Sequence, residues 1–495
     1  MIRRAGIALG AAIAALVPAP ALAGACDGAA RLKVAGVHID RASEGPGGRY
    51  CRIEGRIEKE IGFELWLPGN AAWNRRLLVG GVGGQAGSFN QRELARGAAR
   101  GYASASTDTG HKANDTTWLL GRPDRAANYA HRANHLLAVK AKALIARFYG
   151  RAHSHAFFIG CSGGGRQAMT ELQRYPADFD GIIAGAPGVN TPEMSARRLW
   201  EMQRHSQWGA AMPGWAWTIA YRSAIARCDR QDGVPDGVVD DPRLCRFDPA
   251  SLACRPGQDG GAAGQCLTAP QIAAVRQLQA PLHDENGRRI DGGLLPTAPV
   301  SPALLPEPFT PGPGYLATVL FAQGVHGDAN WDARRFRLAS DIPAIDRVMN
   351  LHADDPAIEP FIRRGGKLIV YQGWDDPLVS ALPTLDYWQA LERRHGAALP
   401  RSARLFMVPG MDHCRGGPGA DLFGGAGGDA PRVDADHDLL SALERWVLEG
   451  RAPEAIVATR AMPLRTRLLC PWPARARFTG AGNPDFAQSY VCRKD

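Results

Sequence analysis

The chain has 495 residues, 45% of them apolar, and a formal net charge of +9. It is too long for one small core and ordinary in apolar content, so it reads as one large globular domain carrying an insertion, or as two domains. The charge is spread along the chain with no basic block or nucleic-acid motif, which excludes nucleic-acid partners and leaves the charge to solubility and weak attraction to acidic surfaces.

The one membrane-like run is at the N-terminus. Met1-Ile2-Arg3-Arg4 is basic, Gly6 to Val17 is apolar, and Ala21-Leu22-Ala23 has the pattern of a cleavage site. The reading is a signal peptide over 1–23 and export to the periplasm or beyond. The apolar run is short for a membrane span, and the residues before Cys26 fit a lipoprotein signal poorly. Ten cysteines follow, as suits an oxidising compartment. Local pairing joins Cys26 with Cys51, Cys228 with Cys245, Cys254 with Cys266 and Cys470 with Cys492. Cys161 and Cys414 are left for each other, although sequence alone does not fix connectivity.

In chain order, residues 31–67 alternate as β-structure, with strands expected at Lys33–Val37 and Phe63–Leu67. Arg76–Val79 is a buried strand running into the glycine-rich stretch 80–87. Tyr102–Asp108 is another strand, ending in Thr-Asp-Thr-Gly-His, and 126–149 is helical. Ala156–Ile159 is a strand, Arg166–Leu172 a helix and Gly181–Pro187 a strand. Alternating strands and helices imply an α/β architecture, a mainly parallel sheet covered by helices on both faces. From 191 to 350 the texture changes to tryptophan clusters, proline-rich stretches such as Pro296 to Pro313, and four cysteines. This region reads as an inserted lid domain between two parts of the main domain, 24–190 and 351–495. Core strands resume at Lys367–Tyr371 and Arg404–Val408, and Asp438–Glu449 is a late amphipathic helix.

The chemistry gathers at strand ends. Gly160-Cys161-Ser162-Gly163-Gly164 is a strand–turn–helix G-x-S-x-G, the pattern of a nucleophile elbow. The two late strands run into Asp375-Asp376 and into Asp412-His413, and catalytic groups collect at the C-terminal ends of parallel strands. Ser162, Asp376, His413 is the chain order of an α/β-hydrolase. Ser162 needs a base, which His413 supplies, and Asp376 holds the imidazole. Asp375 and Asp412 are competing acids; Asp412, adjacent to the base, is poorly placed to reach the ring's far nitrogen. The oxyanion hole takes one amide from Gly163 and a second from Gly83 or Gly84, where a glycine backbone can approach a ligand closely. A rival reading of these glycines is a dinucleotide loop, Gly81-x-Gly83-x-x-Ala86 with Asp108, but no clear helix is expected to follow them.

These residues resemble the tannase and feruloyl esterase family, which is also similar to mono(2-hydroxyethyl) terephthalate hydrolase. The matching pieces are Gly-Cys-Ser-x-Gly-Gly at 160–165, Tyr175-Pro176-x-Asp178-Phe179-Asp180-Gly181, Gly373-Trp374-x-Asp376, and His413-Cys414. Where the family often has His before Gly-Trp, this chain has Gln372. The resemblance implies an α/β-hydrolase fold with a lid, the triad Ser162, Asp376 and His413, and a Cys161–Cys414 bond. It also implies a structural Ca²⁺ site in the lid. Asp229, Asp232 and Asp236 would supply carboxylates, and Val234 and Val238 carbonyls, the hard oxygen donors that Ca²⁺ accepts. Without a cation the same stretch reads as two Asp-Gly turns. In the lid, Trp331, Phe336 and Arg335 or Arg337 are candidates for an aromatic acyl group and a carboxylate, and equally for lid core and surface charge. The expected activity is hydrolysis of phenolic or aromatic acid esters, small or on a feruloylated or galloylated polymer. No membrane or protein partner is implied. The alternatives are a peptidase on the same fold and a non-catalytic binder of phenolics.

Overall fold

The structure, a computed structural model, describes residues 23–208, 212–258, 260, 266–300 and 316–494. The expected signal peptide lies outside these residues except for Ala23, which opens a short helix, Ala23–Ala29. Most of the proline-rich run 296–313 lies outside them too.

A nine-stranded sheet organises the fold. Its strands are β1 (Val37–Glu44), β2 (Tyr50–Ile57), β3 (Ile61–Pro68), β4 (Arg76–Gly80), β5 (Ala103–Thr107), β6 (His155–Cys161), β7 (Gly181–Gly185), and, after a long excursion, two more. The excursion contains a small two-stranded ribbon, β8 (Leu282–His283) and β9 (Arg289–Asp291). The sheet then resumes with β10 (Lys367–Gly373) and β11 (Ala403–Val408). The spatial order is β1-β2-β3-β5-β4-β6-β7-β10-β11. The first three strands and the β3–β5 pair are antiparallel, and every neighbour from β5 to β11 is parallel.

The parallel strands read as continuous apolar runs because both faces are covered. Successive residues point to opposite sides. Leu77, Val79, Ile182 and Leu368 face one apolar cluster with Leu137 and Leu144 of the helix Ala133–Tyr149 and Leu385 of the helix Ala381–His395. Leu78, Ile159, Ile183 and Ile369 face another, closed by Leu439, Leu443 and Trp446 of the helix Leu439–Glu449.

The edge region departs from the sequence reading. Two early strands were expected and three are present. Lys33–Gly36 is not strand; Gly36 turns at φ +72° and its carbonyl accepts from Glu58 N at 2.7 Å, so β1 begins at Val37. That strand lies at the sheet edge, half exposed, and its apolar alternation is correspondingly weak. A helix does follow the glycine run, Gln91–Ala99, capped by Asn90, whose side chain accepts from Glu93 N at 3.2 Å. Four C-terminal strands were not expected: β12 (Ile456–Arg460) with β13 (Arg465–Leu469), and β14 (Arg475–Phe478) with β15 (Tyr490–Arg493).

Between β7 and β10 the chain is mainly helical, with Thr191–Trp208, Gly214–Cys228, Ala269–Gln279 and Leu338–Met349 as its longer helices. One cluster there unites Leu199, Phe321, Trp331, Phe336 and Ile345 with Val82, Ala86, Trp118 and Tyr129 from the main domain. Trp331 and Phe336 are therefore buried core of this helical region, and Arg335 and Arg337 are exposed. Five disulfides pair Cys26–Cys51, Cys161–Cys414, Cys228–Cys245, Cys254–Cys266 and Cys470–Cys492, with no free cysteine among the described residues.

Candidate active site

β6 ends at Cys161, and the helix Gly163–Arg174 begins two residues later. The turn between them requires Ser162 to adopt φ +61° and ψ −126°, a region that L-residues avoid. The crowding explains the glycines. A Cβ on Gly160 would stand 2.3 Å from the Gly164 carbonyl oxygen, and one on Gly165 2.3 Å from that of Gly185. Ser162 N donates to the Gly185 carbonyl at 3.0 Å, which anchors the turn to β7.

Two neighbouring strand ends bring up the other groups. β10 delivers Asp376 and β11 delivers His413, and the two strands pair in parallel register. His413 Nδ1 lies 2.8 Å from Asp376 Oδ2. The carboxylate is buried, while the imidazole side chain keeps 20% exposure. Asp376 Oδ1 accepts from Leu378 N at 2.8 Å and Val379 N at 2.9 Å, charge-assisted bonds that hold it in one rotamer. Gln372 lies beneath, donating to the Val379 carbonyl at 3.0 Å and accepting from Thr384 Oγ1 at 3.0 Å. The Cys161–Cys414 bond, with Cα atoms 6.1 Å apart across 253 residues, ties the residue before Ser162 to the residue after His413.

The glycine loop after β4 lies against the elbow. A Cβ on Gly163 would come within 3.1 Å of both Gly84 N and Gly84 O, and one on Gly83 within 3.9 Å of Ser162 Cβ. Gln167, one turn into the elbow helix, accepts from Val82 N at 3.0 Å and donates to Val82 O at 3.1 Å. The first amides of that helix have no intrahelical acceptors and face the same place. The arrangement has the parts for acyl transfer: a strained serine, a carboxylate-held imidazole and backbone donors beside the serine.

A family model described as "Tannase and feruloyl esterase" matches residues 47–493. An esterase of Xanthomonas campestris is 34% identical, over 97% of this chain and 93% of that protein. The chain belongs to the tannase and feruloyl esterase family. It is also 30% identical to the mono(2-hydroxyethyl) terephthalate hydrolase of Piscinibacter sakaiensis, over 90% of this chain and 84% of that protein. The crystal structure of feruloyl esterase B from Aspergillus oryzae superposes with a TM-score of 0.87 at 25% identity, covering 95% of this chain and 99% of the other. The large, mostly parallel sheet is that of an α/β-hydrolase, and this family member is a carboxylic ester hydrolase.

The aspartate-rich stretch 229–240 forms a tight loop after the helix Gly214–Cys228. Asp229 Oδ1 accepts from Asp236 N at 3.1 Å and Gly237 N at 2.7 Å. Asp232 Oδ1 accepts from Val234 N at 2.8 Å, and Asp236 Oδ1 from Val238 N at 3.0 Å. Among the described residues no three His, Cys, Asp or Glu side chains stand grouped as a ready-made metal cage. Charge is nonetheless crowded. Burial, with Asp240, Asp236 and Asp229 adding repulsion, pushes the Asp232 carboxyl up to about 7. Burial and Asp236 push Asp240 up to about 6. Arg467 of β13 pairs with Asp236 and partly offsets this. Asp240 closes the sequence stretch but had not been singled out; its ordinary Val-Asp-Asp context carries no signal.

The sequence also missed two groups from the stretch between β7 and β10 that hold the acid loop. Arg198, on the helix Thr191–Trp208, donates to the carbonyls of Pro377 and Leu378, directly after Asp376, and pairs with the buried Glu201 at 2.6 Å. Thr297 Oγ1 donates to Asp375 Oδ1 at 2.5 Å, with both side chains buried. Neither lies in a recognisable motif. Asp375 thus faces Thr297, not the imidazole. Burial pushes its carboxyl up to about 8, against the opposing Thr297 hydrogen bond and with help from Asp412. The Asp412 carboxyl rises to about 6 by burial, with Asp376 and Asp421 adding to it.

The raised Asp375 carboxyl makes stability depend on pH. The folded chain keeps a proton that an unfolded aspartate loses near pH ~4. This stability is full below that pH and is lost as pH rises through about 8. Asp375→Asn keeps an acceptor for Thr297 and cannot ionise, so its melting temperature is expected to decline less than wild type between about pH 5 and pH 9. An equal decline in thermal scans would refute this.

The Cys161–Cys414 bond closes so long a loop that chain entropy alone assigns it on the order of 5 kcal/mol. Acyl transfer tolerates misplacement of about 1 Å only at roughly a hundredfold cost. The double variant Cys161→Ala with Cys414→Ala leaves no unpaired thiol. Its kcat per folded molecule, measured well below its melting temperature, is expected to fall; wild-type kcat would make the bond a staple only.

Proposed function

We propose that this chain is an exported serine esterase acting on esters of phenolic or aromatic acids, feruloyl, galloyl or related, on small molecules or on polymers. The observation that carries the mechanism is the juxtaposition of three things: the strained Ser162, the 2.8 Å His413–Asp376 contact, and the disulfide that draws their two loops together. Ser162 Oγ attacks the ester carbonyl carbon while its proton passes to His413 Nε2. Asp376 keeps the Nδ1 proton in place and stabilises the imidazolium. The carbonyl oxygen, now negative, takes hydrogen bonds from Gly163 N and from Gly84 or Gly83 N. The ester C–O bond then breaks, and the alcohol leaves with the proton from His413. Water, deprotonated by the same imidazole, attacks the acyl-enzyme and releases the acid and free Ser162.

The aromatic acyl preference rests on relatives named feruloyl esterase and terephthalate ester hydrolase. Export rests on the basic-apolar N-terminus and the five disulfides; among the described residues no helix is long and apolar enough to cross a membrane.

We also assign one Ca²⁺ to the lid loop, on the carboxylates of Asp229, Asp232 and Asp236 and the carbonyls of Val234 and Val238. The crowded carboxylates support this, since a hard cation relieves their repulsion and accepts only oxygen donors. Its role there is structural.

Purified protein is expected to hydrolyse methyl ferulate, methyl gallate or a short-chain nitrophenyl ester, and to leave a peptide nitroanilide intact. Ser162→Ala should abolish turnover with an unchanged melting temperature, and Asp376→Asn should lower kcat by about 10⁴ by analogy with other triads. Binding of phenolics without turnover, or a crippled Asp375→Asn beside a mild Asp376→Asn, would refute the mechanism. For the cation, metal analysis of protein purified with calcium should find one Ca²⁺ per chain. A chelator should lower the melting temperature far more than kcat per folded molecule; no bound calcium would refute the site.

A further inference from the structure

The helix leading to β6 is interrupted. Pro123–Ala127 is α-helical, Asn128–Arg132 forms a π-helical turn, and Ala133–Tyr149 is α-helical again. Such single wide turns cost hydrogen-bond geometry and tend to mark functional places. Here the turn is met by Arg166 of the elbow helix, a fully buried cation. Its guanidinium donates to the Ala130 carbonyl at 2.7 Å and the Tyr129 carbonyl at 2.9 Å, and stands 4.9 Å from the Tyr129 ring. Tyr129 is 2% exposed. Its hydroxyl donates to the Gly84 carbonyl at 3.0 Å.

Gly84 belongs to the loop that lies against Gly163 and Ser162. It sits at φ +57° with nothing within 4 Å of where a Cβ would be, so no side chain of its own pins its backbone. The loop is also held upstream, by Gln167 on Val82, downstream, where Trp118 Nε1 donates to Gln85 Oε1 at 2.9 Å, and across its turn, where Ala86 N donates to the Gly83 carbonyl at 3.0 Å. At Gly84 itself, the carbonyl oxygen is held by the Tyr129 hydroxyl. The contacts close a ring: elbow helix to Arg166, Arg166 to the π turn, Tyr129 to Gly84, and Gly84 back to Gly163 at the start of the same helix.

We infer that Tyr129 is a positioning residue for ester hydrolysis, its hydroxyl holding the Gly83–Gly84 turn so that the turn's amide points at the developing oxyanion, with Arg166 and the π turn holding Tyr129. This rests on the serine esterase reading above. An oxyanion donor is worth most when it is aimed before charge develops, so releasing Gly84 weakens the transition state and leaves ground-state binding alone.

The test uses Tyr129→Phe, which removes one oxygen, beside Tyr149→Phe, which removes a hydroxyl that donates to the Pro68 carbonyl at 2.7 Å, away from the elbow. With a short-chain nitrophenyl ester, Tyr129→Phe is expected to lower kcat by about tenfold to a hundredfold with KM within about twofold, and Tyr149→Phe to leave kcat unchanged. Phenylboronic acid, whose serine adduct is a tetrahedral boronate with an oxygen where the oxyanion forms, should bind Tyr129→Phe more weakly by the same factor. Wild-type kcat and boronate affinity in Tyr129→Phe would overturn the inference. So would a kcat loss unaccompanied by weaker boronate binding, or one shared by Tyr149→Phe, because each is the mark of a general loss of structure. Ser162→Ala run alongside separates the two levels: turnover surviving in Ser162→Ala refutes the serine mechanism itself, whereas an inactive Ser162→Ala beside a fully active Tyr129→Phe refutes only the role of Tyr129.

Discussion

One covalent bond sets the geometry on which the candidate site depends. Cys161 and Cys414 are 253 residues apart, and everything between β7 and β10 is inserted in that interval. The sheet alone aligns the strand ends of β6, β10 and β11 to within the looseness of the loops that follow them. The bond removes part of that looseness at the two residues adjoining Ser162 and His413. It acts on two turns already strained, with Ser162 at φ +61° in one and Cys414 at φ +66° in the other. Strain of this kind costs roughly 1–3 kcal/mol per residue and persists only where the surroundings over-determine it. Here those surroundings are the disulfide, the Ser162–Gly185 backbone bond and the glycines packed backbone to backbone.

The inserted region is joined to the site from two sides. On the acid side, Arg198 and Thr297 hold the loop bearing Asp375 and Asp376. On the glycine-loop side, Val82 and Ala86 share an apolar cluster with Phe321, Trp331 and Phe336. Burial of that cluster and the buried Arg198–Glu201 pair therefore do more than stabilise the insertion. They tie the inserted region to both the acid loop and the glycine loop. The two neighbouring aspartates divide the work by environment. Asp376 has two backbone donors and an imidazole, whereas Asp375 has a single hydroxyl and, among the described residues, one oxygen without a hydrogen-bond partner, and burial pushes its carboxyl up to about 8.

Much of this was legible before any coordinates. The central parallel strands are apolar on both faces, so their continuous runs are conspicuous, and the elbow must be built from small residues, which is why Gly160, Gly163, Gly164 and Gly165 mark it. The half-exposed edge strand β1 and the C-terminal hairpins were not legible. A strand with one face in water, or a ribbon of five residues or fewer, carries too few apolar positions for a period to emerge. The contributions of Arg198, Thr297 and Tyr129 were invisible for another reason. Each acts through a side chain aimed at a backbone carbonyl or a buried carboxyl far away in sequence, and no local pattern encodes such a meeting.

The sequence by itself determined the family, the α/β class and the residue types that chemistry requires at strand ends, because these depend on local periodicity and on short motifs whose backbone admits few alternatives. Tertiary structure supplied the physical reason that Asp376, the acid the Gly-Trp-x-Asp motif pointed to, faces His413 and Asp375 does not: successive residues of a turn point in different directions, and here His413 meets the one and Thr297 the other. It likewise decided that Trp331 and Phe336 are buried within the inserted region, and that Tyr129 reaches Gly84 across 45 residues. Those outcomes depend on how separate elements pack, and packing is a property of the folded chain as a whole.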